Sequence, residues 1–123
     1  MELCYCIRMK TYQGGCHCGA VRYNVKTELE KILECNCSHC EKKGLLLNFV
    51  PENQFTLLSG EDNLTDYQFN KRVIHHLFCK TCGVQSFARG MGKNGPTISI
   101  NVRCLDGIDI KSLTLTPFDG KNW

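Results

Sequence analysis

The chain has 123 residues, 42% hydrophobic and 22% charged, which fits one globular domain and excludes a disordered, fibrous or two-core protein. No apolar run approaches the roughly 20 residues of a membrane helix, and the opening Met1-Glu2-Leu3-Cys4-Tyr5-Cys6 has neither a basic head nor a sustained apolar stretch, so no spanning segment or secretory leader is expected. The formal charge of +3 argues only weakly for nucleic acid, because the 15 Lys and Arg residues are scattered, with doublets such as Lys42-Lys43 and Lys71-Arg72.

In chain order, the sequence predicts short strands closed by turn residues. Residues 20–25 alternate, with Val21, Tyr23 and Val25 on one face and Arg22 and Asn24 on the other. Residues 27–34 have helical propensity, but 31–37 read equally well as a strand. A single turn is expected from Cys37 to Lys43. Strands follow at 45–50, stopped by Pro51, and at 55–58, closed by the turn cluster 59–63. Further strands are expected at 64–69, 73–78, 84–89, 97–103 and 108–116. The reading is a mainly β domain whose apolar runs are short for a large core, so metal staples would supply part of its stability.

Ten cysteines are the unusual feature. Seven fall into three groups: Cys16-His17-Cys18, Cys35-Asn36-Cys37-Ser38-His39-Cys40 and Cys79-Lys80-Thr81-Cys82. Without a leader the compartment is expected to be reducing and cytoplasmic, with the nucleus also open, and clustered cysteines there hold metal more often than disulfides. Zinc takes sulfur ligands about 2.3 Å away in a tetrahedron, which paired cysteines on tight turns provide. Cys18-Gly19 and Cys82-Gly83 put a glycine where the backbone must wrap the metal. Two such knuckles make a four-ligand site from Cys16, Cys18, Cys79 and Cys82. Cys35, Cys37 and Cys40 offer three ligands, with Glu41 where the knuckles have glycine, and three protein ligands leave a position for substrate. Seven thiolates and two dications would take the formal charge to zero, which weakens the nucleic-acid reading further.

Other assignments compete with this one. Disulfides between cysteines one residue apart are geometrically poor. His39 could complete the middle group as a fourth ligand and make it structural, although ligation alongside its neighbour Cys40 would be strained. His17, His75 and His76 read as surface or packing residues. Cys4, Cys6 and Cys104 lack partners at metal spacing and read as free thiols, Cys104 as a buried one. Thr81 and Ser86 have no adjacent acid–base pair, so a serine-type nucleophile is not expected.

The segments Gly14-Gly15-Cys16-His17-Cys18-Gly19-Ala20-Val21-Arg22-Tyr23, Cys35-x-Cys37-Ser38-x-Cys40 and Phe78-Cys79-Lys80-Thr81-Cys82-Gly83 together resemble the glutathione-dependent formaldehyde-activating enzyme family, which also includes centromere protein V. The closing segments Asn101-Val102-Arg103-Cys104-Leu105-Asp106-Gly107 and Phe118-Asp119-Gly120-Lys121-Asn122-Trp123 are similar too. The resemblance implies an N-terminal extension over 1–11 and a single domain over 12–123. It implies a β-tent of twisted antiparallel sheets, with a structural zinc on Cys16, Cys18, Cys79 and Cys82 and a catalytic-type zinc on Cys35, Cys37 and Cys40. The implied activity is carbon–sulfur lyase chemistry, joining glutathione or another small thiol to formaldehyde or a related small aldehyde as an S-hydroxymethyl adduct. Lys42, Lys43, Arg72, Arg89 and Arg103 are candidate partners for glutathione's carboxylates. A non-catalytic zinc module that binds glutathione, a protein or a nucleic acid is the alternative. A long basic tail or an aromatic-studded basic strip would favour it, and the sequence has neither.

Overall fold

The computed structural model describes residues 9–69 and 71–119. The elements in order are β1 (Lys10–Gly15), β2 (Arg22–Thr27), β3 (Ile32–Cys35), helix α1 (Ser38–Lys43), β4 (Leu46–Pro51), β5 (Phe55–Ser59), β6 (Leu64–Tyr67), β7 (His75–Cys79), β8 (Phe87–Gly92), β9 (Gly95–Asn101) and β10 (Leu115–Phe118). They form a three-stranded sheet in the order β1-β2-β5 and a seven-stranded sheet in the order β10-β3-β4-β9-β8-β7-β6. Every pairing of these strands is antiparallel except β10 with β3, which run parallel from Leu115↔Ile32 to Phe118↔Cys35.

The alternation read in residues 20–25 places Tyr23 and Val25 of β2 inward, against the large sheet. Leu46 and Val50 of β4, Phe87 of β8, and Ile98 and Ile100 of β9 meet them from the other side. Tyr23, Phe55 and Phe87 form an aromatic centre with ring centroids 4.8–5.9 Å apart. The Tyr23 hydroxyl donates to the Ser86 carbonyl at 3.1 Å, so the one polar atom of that buried ring is satisfied. Runs that are short individually thus pool into one continuous core between two sheets.

The other face of the large sheet carries a second, smaller cluster. Because side chains alternate along β4, Leu47 points away from the core that takes Leu46. Leu47 packs with Leu45 and Cys40, against Leu33, Cys35 and Cys37. Helix α1 therefore sits on the outside of the large sheet, across it from the main core.

Several expected elements differ. Residues 27–34 form no helix: β2 runs to Thr27 and β3 begins at Ile32, the strand alternative. Residues 84–86 are not strand, because Cys79 N–H donates to the Val84 carbonyl and the chain is still wrapping the cysteine pair. Val102–Cys104 is a short 3-10 turn, started when the Asn101 side chain accepts from the Arg103 amide. Of 108–116, Ile110–Ser112 is another such turn, and β10 forms only beyond it. Strand β1 was not foreseen at all. It begins at Lys10, two residues before the expected domain boundary at 12. Cys4 and Cys6, and residues 120–123 of the closing segment, lie outside the described residues.

The join between the sheets runs close to Gly60, which has φ +90°. A Cβ there would lie 2.5 Å from the Ala20 carbonyl oxygen and 2.8 Å from the Val21 Cα, both backbone atoms. Gly107 has φ +71° and open space around it. Gly60→Ala should therefore lose about 3 kcal/mol in a urea titration, strain plus clash, and Gly107→Ala about 1 kcal/mol. Equal losses would show that the Gly60 approach is not a constraint on the fold.

Candidate metal centres

Cys16 follows β1 and Cys79 ends β7, so one cysteine group reaches from the small sheet to the large one. The sulfurs of Cys16, Cys18, Cys79 and Cys82 all lie within 4.8 Å of one another. Cys18 Sγ is 3.6 Å from both Cys16 Sγ and Cys79 Sγ, close to the roughly 3.8 Å edge of a tetrahedron of sulfurs about 2.3 Å from one zinc. The two turns are built alike. Val21 N–H donates to Cys16 Sγ at 3.3 Å, and Thr81 and Cys82 N–H donate to Cys79 Sγ at 3.3 and 3.5 Å. Gly19 and Gly83 take φ +85° and +81°, as the wrapping backbone requires.

The electrostatics also favour a cation. The Cys82 amide, with that of Thr81, pulls the Cys79 thiol down to about 6. Cys18, although exposed and pulled down by the Ala20 amide, is pushed up to about 11 by partial desolvation among the neighbouring sulfurs, Cys79 foremost. Four touching sulfurs cannot all ionise unaided, and a divalent ion removes the conflict. The donor set therefore fits a metal such as zinc. Asn63, which the sequence reading passed over as a turn residue, donates through Nδ2 to Cys79 Sγ at 3.4 Å and to Thr81 Oγ1 at 3.1 Å. It fixes the second turn from outside the cysteine pattern.

Cys35, Cys37 and Cys40 form the second group, again with sulfurs within 4.8 Å of one another, and among the described residues no fourth His, Cys, Asp or Glu joins them. Cys37 is the N-cap of α1: its sulfur accepts the Cys40 N–H at 3.3 Å. Burial opposes ionisation of Cys37, but the Cys40 amide and the neighbouring sulfurs outweigh it and lower the thiol below its ordinary value. Burial raises Cys35 and Cys40 instead. The three sulfurs fit a metal with a position to spare.

His39 is not in that group. Its ring stacks on Tyr67 and lies 4.1 Å from the His76 ring and 5.2 Å from Phe69. Burial, with His76 and Lys43 nearby, lowers its pKa to about 4. His39 thus anchors α1 to β6 and β7. His76 is buried in the same stack, His17 is exposed, and His75 pairs with Asp66 at 2.6 Å. Cys104 is partly buried against Asn101 and Gln85, and burial pushes its thiol up to about 11. Ser86 is buried, and Thr81 Oγ1 accepts from Asn63, so neither is presented as a nucleophile.

A cleft of about 470 Å³ opens beside the second group, lined by Cys35 and Cys40 together with Glu34, Glu41, Arg103 and Phe118. Of the five candidate cations, Arg103 lines it; Lys43 is turned to Gln85 Oε1 at 2.8 Å and lies over the Phe78 ring. Arg89 stacks over Phe55 and Phe87 beside Glu52. Lys42 and Arg72 are exposed and do not line the cleft.

A family model described as glutathione-dependent formaldehyde-activating enzyme matches residues 11–117. The chain belongs to this family. It is also similar to the crystal structure of a Rhodobacter sphaeroides protein from a structural-genomics programme, with 29% identity over 85% of this chain and 99% of that one, at a TM-score of 0.74. Both cysteine groups of this formaldehyde-activating-type domain fall inside the matched span.

The two centres differ in what they join. Cys18 and Cys79 are 61 positions apart, whereas the second group spans six consecutive residues on an element already held by Leu33, Leu47 and the His39 stack. Cys79→Ser should abolish cooperative unfolding. Cys37→Ser should keep it, with a stability change within about 1 kcal/mol, and lose about half the bound metal. Circular dichroism melts with elemental analysis check this, and equal unfolding of both variants would make the second group structural.

Proposed function

We propose that this domain holds two zinc ions and uses the second to condense glutathione with formaldehyde, giving S-hydroxymethylglutathione, a reaction classed in reverse as a carbon–sulfur lyase. The observation that carries the reading is a three-cysteine group that opens on a cleft, in a chain of this family. Cys16, Cys18, Cys79 and Cys82 would hold the structural ion. Cys35, Cys37 and Cys40 would hold the other and leave one position for an outside ligand. When bound there, zinc lowers the pKa of an incoming thiol from about 8.5 so that it reacts as the thiolate.

The chain's own residues supply placement. Cys37 caps α1 and fixes Cys40, the cluster of Leu45 and Leu47 seats the helix, and Cys35 and Cys40 face the cleft where the thiol would enter. The sulfur adds to the aldehyde carbon, the C–S bond forms as the carbonyl π pair moves to oxygen, and the proton lost from sulfur ends on that oxygen. No side chain is required as a strong base, because formaldehyde is already electrophilic. The same chemistry fits a reducing compartment, which we propose to be the cytoplasm, since it keeps the described cysteines as thiols.

Exchange spectroscopy with carbon-13 formaldehyde and glutathione measures the adduct's formation rate directly. The metal-loaded domain should raise it at least about tenfold over the uncatalysed rate, and Cys40→Ser should return it to that baseline. Glutathione binding without acceleration would identify a thiol-binding module, and no acceleration with both metals present would overturn the enzymatic reading.

A further inference from the structure

Helix α1 carries Cys40, and a ring of hydrogen bonds closes around its last turn. Lys43 Nζ donates to Gln85 Oε1 at 2.8 Å. The Gln85 carbonyl accepts from Asn101 Nδ2 at 2.9 Å, and Asn101 Oδ1 accepts from the Arg103 amide at 3.3 Å. Arg103 Nε then donates at 2.9 Å to the carbonyl of Gly44, the residue after Lys43. Gln85 and Asn101 are buried, so their polar groups are costly to leave unpaired. The ring is also tied to the body of the protein. Asn101 N–H donates at 3.1 Å to the Ser86 carbonyl, which takes the Tyr23 hydroxyl as well.

The ring reaches Cys40 through one peptide unit. The Gly44 carbonyl accepts from Arg103, while the N–H of the same peptide, that of Leu45, donates to the Cys40 carbonyl at 3.2 Å. The Gly44 N–H donates there too, at 2.9 Å. Bonds chained in this way strengthen one another. Cys40 depends on its backbone more than its two partners do. Cys35 Sγ accepts the Cys37 N–H at 3.4 Å and Cys37 Sγ accepts the Cys40 N–H at 3.3 Å, whereas among the described residues no N–H reaches Cys40 Sγ.

We infer that Asn101 and Arg103 are positioning residues for the second centre, holding the end of α1 so that Cys40 completes the three-cysteine set. This rests on the two-zinc reading above and concerns how the chain holds that site, not what enters it. A group of three ligands has no fourth protein ligand to keep its geometry, so support from outside the ligand set counts for more. Outer-shell partners of metal ligands commonly change metal affinity by about 10- to 100-fold.

Competition of cobalt- and zinc-loaded protein against a chromophoric chelator, with no thiol or aldehyde present, tests it. Wild type should release two ions with separate affinities. Asn101→Leu removes two bonds of the ring without changing charge, and Arg103→Met removes the bond to Gly44. Each should weaken the more labile ion at least about tenfold, shift the cobalt absorption of that site, and leave the tighter ion within about twofold. The Leu45 amide should exchange faster with solvent in both variants. Arg103→Lys keeps a donor and should recover to within about threefold of wild type. If Asn101→Leu does not fold, the Arg103 variants and the Leu45 exchange rate decide. Equal weakening of both ions, an unchanged labile ion, or an Arg103→Lys as weak as Arg103→Met would overturn the assignment, with the thiol-condensing reading still standing on its adduct rate. If wild type binds a single ion, the two-zinc reading fails and this inference with it.

Discussion

Four sulfurs from two distant turns meet where the small sheet joins the large one, and the rest of the molecule is arranged around that meeting. The Cys16 turn leaves β1 and the Cys79 turn leaves β7. Between the sheets lies a core that no single strand could build. Burial drives the sheets together, but it is non-directional and does not define where their ends meet. Thiolates gathered on one ion would define it, because ligand geometry is directional. The amides aimed at Cys16 and Cys79 prepare the turns for negative charge before any ion arrives.

The second centre depends on that frame without contributing to it. Helix α1 lies on the outer face of the large sheet, across β4 from the core, and is held through contacts that need no metal. Leu45 and Leu47 pack beneath it, Lys43 reaches Gln85, and His39 stacks into the Tyr67, Phe69 and His76 rings. A site supported this way can keep an incomplete ligand set and still be positioned. The separation of duties follows from loop length: one group links residues 61 apart, the other lies within a single turn of chain.

Much of this was legible in the cysteine spacing. Tight pairs followed by glycine point to knuckles, and both glycines adopt the positive φ that the reading required. The strands with clear alternation or apolar runs, such as β2 and β4, were legible too. β1 was not, because Lys10–Gly15 carries few apolar residues and is held mainly by its ladder to β2. Val84 looked like the start of a strand, but the Cys79 turn claims its carbonyl. The parallel pairing of β10 with β3 is a long-range choice without a local signal. The same pairing helps form the cleft, so Arg103 could not be separated from the other cations until the fold placed it there. His39 was ambiguous for a related reason: its neighbours in sequence are cysteines, while its neighbours in space are rings.

The central claim is that one metal holds the sheets together and the other does not. Stepwise chelation, followed at once by native mass spectrometry and amide hydrogen exchange, tests it most directly. The account predicts that the first ion leaves with protection in β2, β4, β8 and β9 intact, and that the second leaves together with that protection. Loss of core protection with the first ion, or departure of both ions in one step, would contradict it.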